Sequence, residues 1–382
     1  MSLVKNLSLI FKCVPDGLPI PGKHLVVEDR PSNISRAPDG GFVTRNLYCS
    51  LDPYMRLMLI ESSTRHYRRP FVLGQPIRSL SVAEVIASSH PDFPTGSMIR
   101  ASLPIQQYSV VTNEDPSMLG GATSNGSIRV LPQSLSPLMC PPFWIGPLGM
   151  PGLTAFSSIY EIGRIQPGET IFISAAAGAV GQIVGQICKL EGLRVIGSVG
   201  SDEKVDLLVN ELGFDAAFNY RQESTSSALQ RLAPAGLDIY YDNVGGQTLE
   251  DALASMAQDG RIIVCGMVSQ YNSTYKSTTS ESTYGVKNLF QLVGQNLEMR
   301  GFQVGHRDFG PKHMKDHEEK TLRWIEERKL QAVMSEVRGI QHGADAFVGM
   351  LQGESVGKAI LRIWADDEEG THRNFPSFHR IS

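Results

Sequence analysis

The sequence has no long apolar run. None reaches the ~18–20 residues that a membrane-crossing helix requires, and the opening stretch "MSLVKNLSLIFKCVPDGLPIPGK" has neither the apolar core nor the small-residue cleavage site of a secretory signal. A cytoplasmic protein is expected. There is no basic block either, and the net charge is -4, so nucleic acid and anionic membrane are excluded as natural partners. The five cysteines, Cys13, Cys49, Cys140, Cys188 and Cys265, are scattered and contain no CxxC pair. Neither a disulfide framework nor a four-cysteine zinc cluster is expected, and the thiols read as small buried apolar groups. The nine histidines show no paired spacing that would hold a metal. Internal repeats are also missing.

What is present is a chain of 382 residues, longer than one hydrophobic core usually supports, so two domains are expected. The first ~140 residues are rich in Pro and Gly and carry short β-like runs, "HLVVED", "GFVTRNLYCSL", "SLSVAEVIA" and "QQYSVV", separated by turns. A proline-rich stretch, "PLMCPPFWIGPLGMPG", marks a boundary. Beyond it strands and helices alternate. "ETIFISA", "LRVIGSV", "AAFNY", "LDIYYDNV" and "GRIIVCGMV" read as strands, and "GLTAFSSIYEIG", "AVGQIVGQICKLEG" and "DEKVDLLVNELG" as helices, with Gly192 as a stop. Such alternation implies an α/β domain with a parallel, doubly wound sheet. "STYKSTTSESTYG" reads as a polar loop, "HMKDHEEKTLRWIEERKL" as a charged helix, "GADAFVGMLQGES" as a short helix and "KAILRIWA" as a strand. The last stretch, "DDEEGTHRNFPSFHRIS", has no periodicity.

The strand "ETIFISA" runs into "AAGAVG" and then into a helix, giving the spacing Ala176-x-Gly178-x-x-Gly181. This is a dinucleotide fingerprint with alanine at its first glycine. Gly178 lets the backbone approach a pyrophosphate, Gly181 lets the helix pack close to the sheet, and the helix N-terminus offers N–H groups to the phosphates. The next strand ends in "GSVGS", where an NAD-selective site carries an acidic residue for the ribose hydroxyls. Small neutral residues with Lys204 close behind fit an additional 2′-phosphate, so NADPH is the expected cofactor. Catalytic zinc would need histidine and cysteine ligands together. Cys49 stands in "LYCSLDPYM", but "VLGQPIRSL" holds no histidine where one is wanted.

Together "SLDPYMR", "GMPGLTA", "SAAAGAVG", "GSDEK", "FNY", "YYDNVGG", "CGMVSQYN" and the "GK" of Gly357 and Lys358 resemble the zinc-independent branch of the medium-chain dehydrogenase/reductase family. The resemblance is to its leukotriene B4 12-hydroxydehydrogenases, prostaglandin reductases and alkenal double-bond reductases. It implies a GroES-like β domain at 1–140, completed by about 305–382, and a Rossmann NADPH-binding domain at 141–304. It also implies a homodimer and NADPH-dependent reduction of the C=C bond of an enone, enal or related unsaturated carbonyl compound, here in a pathway of secondary metabolism. Two alternatives stay open: the same NADPH-binding fold serving a different pathway step (iminium reduction, isomerisation or cyclisation), or a non-catalytic NADPH-binding protein.

Carried over by position, Gly178, Ala179, Val180 and Gly181 would hold the pyrophosphate, and Lys204 and Tyr220 the 2′-phosphate. Asn243 would lie along the cofactor, and Cys265, Gly266, Met267, Val268 and Ser269 beside the nicotinamide riboside. Phe302, Gln303 and Val304 would add a backbone contact, and Thr154 would sit near the nicotinamide. Tyr271 is the candidate donor to the carbonyl oxygen on which negative charge develops, acting directly or through the ribose hydroxyl. Tyr54 would line the substrate cleft, whereas Arg56 reads as a structural ion pair. Three positions depart from the family. Ser355 replaces an Asn before the final "VGK" or "LGK" and remains a cofactor contact. Ile105 replaces a Trp three residues before the Tyr of "QQY", on the substrate side. A usually glycine-rich stretch after "GQ" reads "PIRSLSVAEV". Since no ligand cluster for a metal is legible, activity is expected to survive exhaustive chelation. Loss of turnover on chelation, restored by zinc, would overturn the metal-free reading.

Overall fold

The computed structural model describes residues 3–64, 66–115, 128–132, 140–273 and 283–365. The polar stretch at 274–282 and the tail at 366–382 lie outside them. The chain divides into two compact units. The first holds Met1–Gly149, Met334–Ser355 and Ala359–Ser382; the second holds Met150–Val333 and Val356–Lys358.

In the first unit β1 (Leu7–Phe11) pairs antiparallel with β2 (Leu25–Asp29). A larger antiparallel sheet is built from β3 (Phe42–Ser50), β4 (Arg78–Ser88), β5 (Met98–Pro104), β6 (Tyr108–Val111) and β7 (Arg129–Val130). It is completed from the far end of the chain by β14 (Met334–Arg338) and β15 (Lys358–Arg362), in the order β14-β15-β3-β4-β5-β7 with β6 on β3. β15 pairs antiparallel with β3, Leu361 opposite Cys49. Leu9, Phe11, Leu51, Met55, Phe347 and Leu361 form the core beneath it. Trp364 closes that core, its indole N–H donating to Asn46 O at 2.8 Å and the Arg45 guanidinium lying 4.5 Å from its ring centre.

The second unit is a parallel sheet of β8 (Thr170–Ile173), β9 (Arg194–Val199), β10 (Ala216–Asn219), β11 (Leu237–Asp242), β12 (Met256–Val264) and β13 (Glu298–Gly301). Its order is β10-β9-β8-β11-β12-β13, so the strands run outward in both directions from β8 and β11, the doubly wound arrangement. The helices are α1 (Met150–Ser158), α2 (Gly181–Leu190), α3 (Asp202–Asp206), α4 (Thr225–Leu232), α5 (Gly246–Leu253), α6 (Gln291–Gly294) and α7 (Gly310–Glu326). An eighth, α8 (Gly343–Leu351), belongs to the first unit. Strand alternation sends Phe172 and Tyr240 to one face of the sheet, where they pack with Leu229 of α4 and with Leu249 and Leu253 of α5. Phe172 stacks on Tyr240 with ring centres 5.1 Å apart and on Phe218 at 5.9 Å.

Two features differ from the sequence reading. β13 was not expected, because "EMRG" is short and three of its four residues are exposed. The second unit also begins at Met150 and runs to Val333, not from 141 to 304. Residues 305–333 stay with it because Phe156 of α1 packs against the rings of His317 (5.7 Å), His313 (6.0 Å) and Trp324 (6.3 Å). The α2 amides then clamp the chain after α7: Gln186 Nε2 donates to Gln331 O at 2.9 Å and Gln182 Nε2 to Val333 O at 3.0 Å, and the N–H groups of Gln331 and Val333 donate back. In the first unit, Arg100 holds the segment before α1 through Leu148 O at 3.1 Å.

Phe172 is fully buried between two aromatic neighbours. Phe172→Ala should destabilise the parallel-sheet unit by about 3–5 kcal/mol, read from its transition in denaturant unfolding. A loss below about 1 kcal/mol would contradict this packing.

Candidate active site

The turn after β8 is built for close approach. Ala175 adopts a left-handed φ of 49°, the Gly178 N–H donates to Ala175 O at 3.0 Å, and the Ala176 N–H donates to Ser198 O at 3.0 Å. A Cβ on Gly181 would lie 2.7 Å from Ala175 O and 2.8 Å from Ala176 Cα, so α2 can start this near the strand only with glycine there. A Cβ on Gly178 would sit 3.1 Å from Ala175 O. Among the described residues no side chain caps α2. The N–H groups of Gln182, Ile183 and Val184 are taken by the carbonyls of Gly178 and Val180, so an anion at this turn would meet the backbone of half-buried Ala179 and Val180 just ahead of α2. Gly357 braces the turn, its N–H donating to Ala177 O at 2.8 Å. It needs glycine twice over: φ is 75°, and a Cβ would fall 2.0 Å from Val333 O. Ser355, two residues earlier, is half-buried at the end of a first-unit segment.

At the end of β9, Ser201 caps α3, accepting the Lys204 N–H at 3.4 Å. The nearest acid, Asp202, is already engaged by Asn219 Nδ2 at 2.9 Å and Gln222 Nε2 at 2.8 Å, which hold its carboxyl below the usual range. Tyr220 is half exposed, and its hydroxyl would be 2.9 Å from a Cβ on Gly200. Burial lowers the Lys204 ammonium from its ordinary value, the positive charge of Arg221 lowers it further, and Glu203 opposes both. Tyr220 thus stands against Gly200 at the end of β9, and Lys204 has Arg221 as a neighbour that the sequence reading missed.

At the carboxyl ends of β8 and β11 a polar network sets the backbone. Ser174 Oγ accepts the Asn243 N–H at 3.0 Å, and Asn243 Nδ2 donates to Ser174 O at 2.8 Å. Fully buried Asp242 accepts at Oδ1 from the Tyr240 hydroxyl (2.7 Å) and from the N–H groups of Gly245 (2.8 Å) and Val244 (3.0 Å). Burial raises its carboxyl above the ordinary range, and these hydrogen bonds oppose the shift. Ser174 and Asp242, adjacent to expected residues, were also missed: the bonds of Ser174 reach strand neighbours 66 or more positions away, and the acceptor role of Asp242 depends on its burial at the strand end.

The loop after β12 is laid over that network. Cys265 and Gly266 donate their N–H groups to Asp242 O (2.9 and 3.0 Å), Val268 to Asn243 O (3.1 Å) and Ser269 to Val244 O (3.3 Å). The Tyr271 hydroxyl turns back to accept the Met267 N–H at 3.4 Å, and a Cβ on Gly266 would meet it at 2.7 Å. Burial pushes the Cys265 thiol up to about 12, which makes it a poor nucleophile. Thr154 is buried on α1, its hydroxyl donating to Met150 O at 2.7 Å. After β13, Phe302 packs on Phe309 with ring centres 5.0 Å apart, Gln303 O accepts the His306 N–H at 2.9 Å, and Val304 O accepts the Gly310 N–H at 2.8 Å.

In the first unit, Tyr54 follows Pro53 at the start of a tight helical turn, and the Arg68 guanidinium lies 4.3 Å from its ring centre. Burial raises its phenol above the ordinary value. Arg56 is buried and donates to Gly17 O at 2.7 Å. Ile105 corrects the sequence reading. It is fully buried in the core with Leu9, Cys49 and Phe347, and its N–H and C=O are taken by Ile77 and Leu9. A side chain with no exposed surface has no access to a substrate. Cys49 is fully buried too. It accepts the Ser81 hydroxyl at 3.3 Å, and burial raises its thiol to about 12, the reverse of what a metal thiolate needs. Among the described residues no three His, Cys, Asp or Glu side chains are grouped to hold a metal ion, and no helix is long and apolar enough to cross a membrane.

Comparison with known proteins agrees with this geometry. Residues 179–326 match the zinc-binding dehydrogenase family and residues 8–119 the family described as the N-terminal domain of oxidoreductase. An NADP-dependent oxidoreductase of Cochliobolus heterostrophus is 44% identical over 363 residues, covering 94% of this chain and 98% of that protein. A 2-alkenal reductase (NADP(+)-dependent) of Nicotiana tabacum is 38% identical over 367 residues, covering 94% and 98%. Among solved structures, CurA from Vibrio vulnificus in complex with NADPH superposes with a TM-score of 0.81 at 28% identity, covering 94% of this chain and 99% of that one. The zinc in the family's description does not fit the donors present around Cys49. The glycine-lined cradle, the unfit metal site and the near full-length similarity place the chain in the medium-chain dehydrogenase/reductase family, in its zinc-independent group of NADP-dependent oxidoreductases.

Proposed function

We propose that the protein reduces the C=C bond of an α,β-unsaturated aldehyde or ketone with NADPH. The observation that carries this reading is the 38% identity, over 94% of this chain, to the 2-alkenal reductase of Nicotiana tabacum. The cradle gives it a physical basis. Gly178 to Gly181 and the α2 N-terminus would hold the pyrophosphate, Lys204 and Tyr220 the 2′-phosphate, and Asn243 with the 265–269 loop the nicotinamide half. Bound there, NADPH supplies a hydride to the β-carbon of the substrate.

The chain's own task is the oxygen at the other end of the conjugated system. Negative charge collects on the carbonyl as the β-carbon is attacked, and a fixed donor lowers the barrier most when it is aimed at that oxygen. Tyr271 is assigned this role. Its ring is carried on the loop seated on Asp242, Asn243 and Val244, so its position follows from the same backbone that would hold the cofactor. The α-carbon then takes a proton from solvent, directly or by way of the phenol, which water reprotonates. The raised thiol of half-buried Cys265 is a weak competing nucleophile toward an electrophilic enone.

The direct test is NADPH oxidation against a panel of enals, enones and nitroalkenes. Turnover with stoichiometric loss of the double bond is expected; tight NADPH binding without turnover across the panel would favour a binding protein. Lys204→Ala should weaken NADPH by about ten- to hundredfold, equivalent to about 1.5–3 kcal/mol for one charge-assisted contact, and leave NADH nearly unchanged. Equal effects on both nucleotides would remove Lys204 from the phosphate site. Tyr271→Phe keeps the ring and removes the hydroxyl that accepts the Met267 N–H at 3.4 Å. It should slow single-turnover NADPH oxidation by about 10–100-fold with little change in NADPH affinity. An unchanged rate would take Tyr271 out of the mechanism.

A further inference from the structure

We propose that Arg221 is a second cation of the 2′-phosphate pocket and, with Lys204, sets the preference for NADPH over NADH. This rests on the cofactor reading above and adds a residue to it. The placement comes from strand register. β10 runs parallel to β9 with Asn219 opposite Val199, and the Tyr220 N–H donates to Val199 O at 3.0 Å. Tyr220 and Arg221 therefore leave their strand beside the point where Gly200 and Ser201 leave theirs. The Tyr220 ring stands against Gly200, where a Cβ would come within 2.9 Å of its hydroxyl. The Arg221 guanidinium lies 6.0 Å from that ring centre.

The start of Arg221 is fixed. Its N–H donates to Asn219 Oδ1 at 3.1 Å, while Asn219 Nδ2 donates to Asp202 at 2.9 Å. The asparagine thus turns the local acid toward amides and away from the cations, and Gln222 takes the other carboxylate oxygen at 2.8 Å. Among the described residues Arg221 has no carboxylate within ion-pair distance. Arg221 also lies near enough to Lys204 to disfavour its charged form. Arg221 thus adds a second positive charge near Lys204, offset in part by Glu203, and an anion bound between the two would relieve their repulsion. A ribose 2′-phosphate carries about -1.5 to -2 charges near neutrality and three acceptor oxygens, enough for an ammonium, a guanidinium and the Tyr220 phenol together. The guanidinium fork suits phosphate geometry better than a second ammonium would.

The test is nucleotide binding to the full-length protein, by titration with NADPH, NADH, adenosine 2′-monophosphate and adenosine 5′-monophosphate, at low and high salt. Arg221→Ala should weaken NADPH and the 2′-phosphate fragment about five- to tenfold, as for a partly exposed charged contact, and change NADH and the 5′-phosphate fragment less than about twofold. Its NADPH affinity should also depend less steeply on salt. Arg221→Glu should weaken NADPH by more than about thirtyfold through repulsion, while Arg221→Lys should recover most of the loss. Because the side chain is exposed, all three variants should melt with the native protein. Arg221→Ala and Arg221→Glu that affect NADPH no more than NADH, while Lys204→Ala still costs NADPH selectively, would overturn the role of Arg221 alone. If Lys204→Ala is unselective as well, the 2′-phosphate pocket itself is wrong.

Discussion

The second unit depends on one close approach, that of α2 to the turn that ends β8. No side chain fits between them: a Cβ at Gly181 would stand 2.7 Å from Ala175 O, and one at Gly357 would stand 2.0 Å from Val333 O. From those two glycines the rest follows. α2 starts at the strand end with Gln182 donating back to Gly178 O, the segment Val356–Lys358 returns to brace the turn through Ala177, and Gln182 and Gln186 on the same helix clamp residues 331–333. The turn at Gly178 and the route of the chain after α7 are thus set by the same packing.

A second layer of order comes from a buried carboxyl. Asp242 is fully enclosed, and burial makes its charged form unfavourable, yet its Oδ1 accepts from a phenol and two backbone N–H groups. Its backbone carbonyl in turn receives Cys265 and Gly266. A polar hub of this kind is costly to bury and holds only when nearly all its partners are in place. It therefore specifies one arrangement of the strand ends, on which Asn243 and the loop to Tyr271 are seated. The proposed donor inherits its position from a residue that touches no substrate.

The metal question shows how a fold and its chemistry separate. The family's description refers to zinc, but Cys49 sits deep in the first unit's core with a hydroxyl for a neighbour and its thiol pushed up to about 12. Where a dehydrogenase acting on an alcohol relies on a Lewis acid, reduction of a conjugated C=C bond disperses charge onto a distant oxygen, and a single well-placed donor is enough to address it.

Much of this protein was readable in the sequence because its signals are local. The strand–turn–helix around Gly178 and Gly181, the small neutral residues at the end of β9 with Lys204 close behind, and the alternation that yields a parallel sheet all lie within short windows, where spacing and residue size act directly. Fold class and cofactor type followed from such windows. What the tertiary structure decided is what depends on pairing across the chain. β13 carries too few apolar residues to announce itself and exists because β12 offers it an edge. Residues 305–333 belong to the second unit because Phe156 and the α2 glutamines meet them there. Ile105, placed by analogy in a substrate cleft, fills the core. Arg221 leaves β10 beside the end of β9 because the β9–β10 register sets Asn219 opposite Val199. Periodicity encodes which face of an element is apolar, but register, burial and charge neighbours are fixed only when elements distant in sequence pack together.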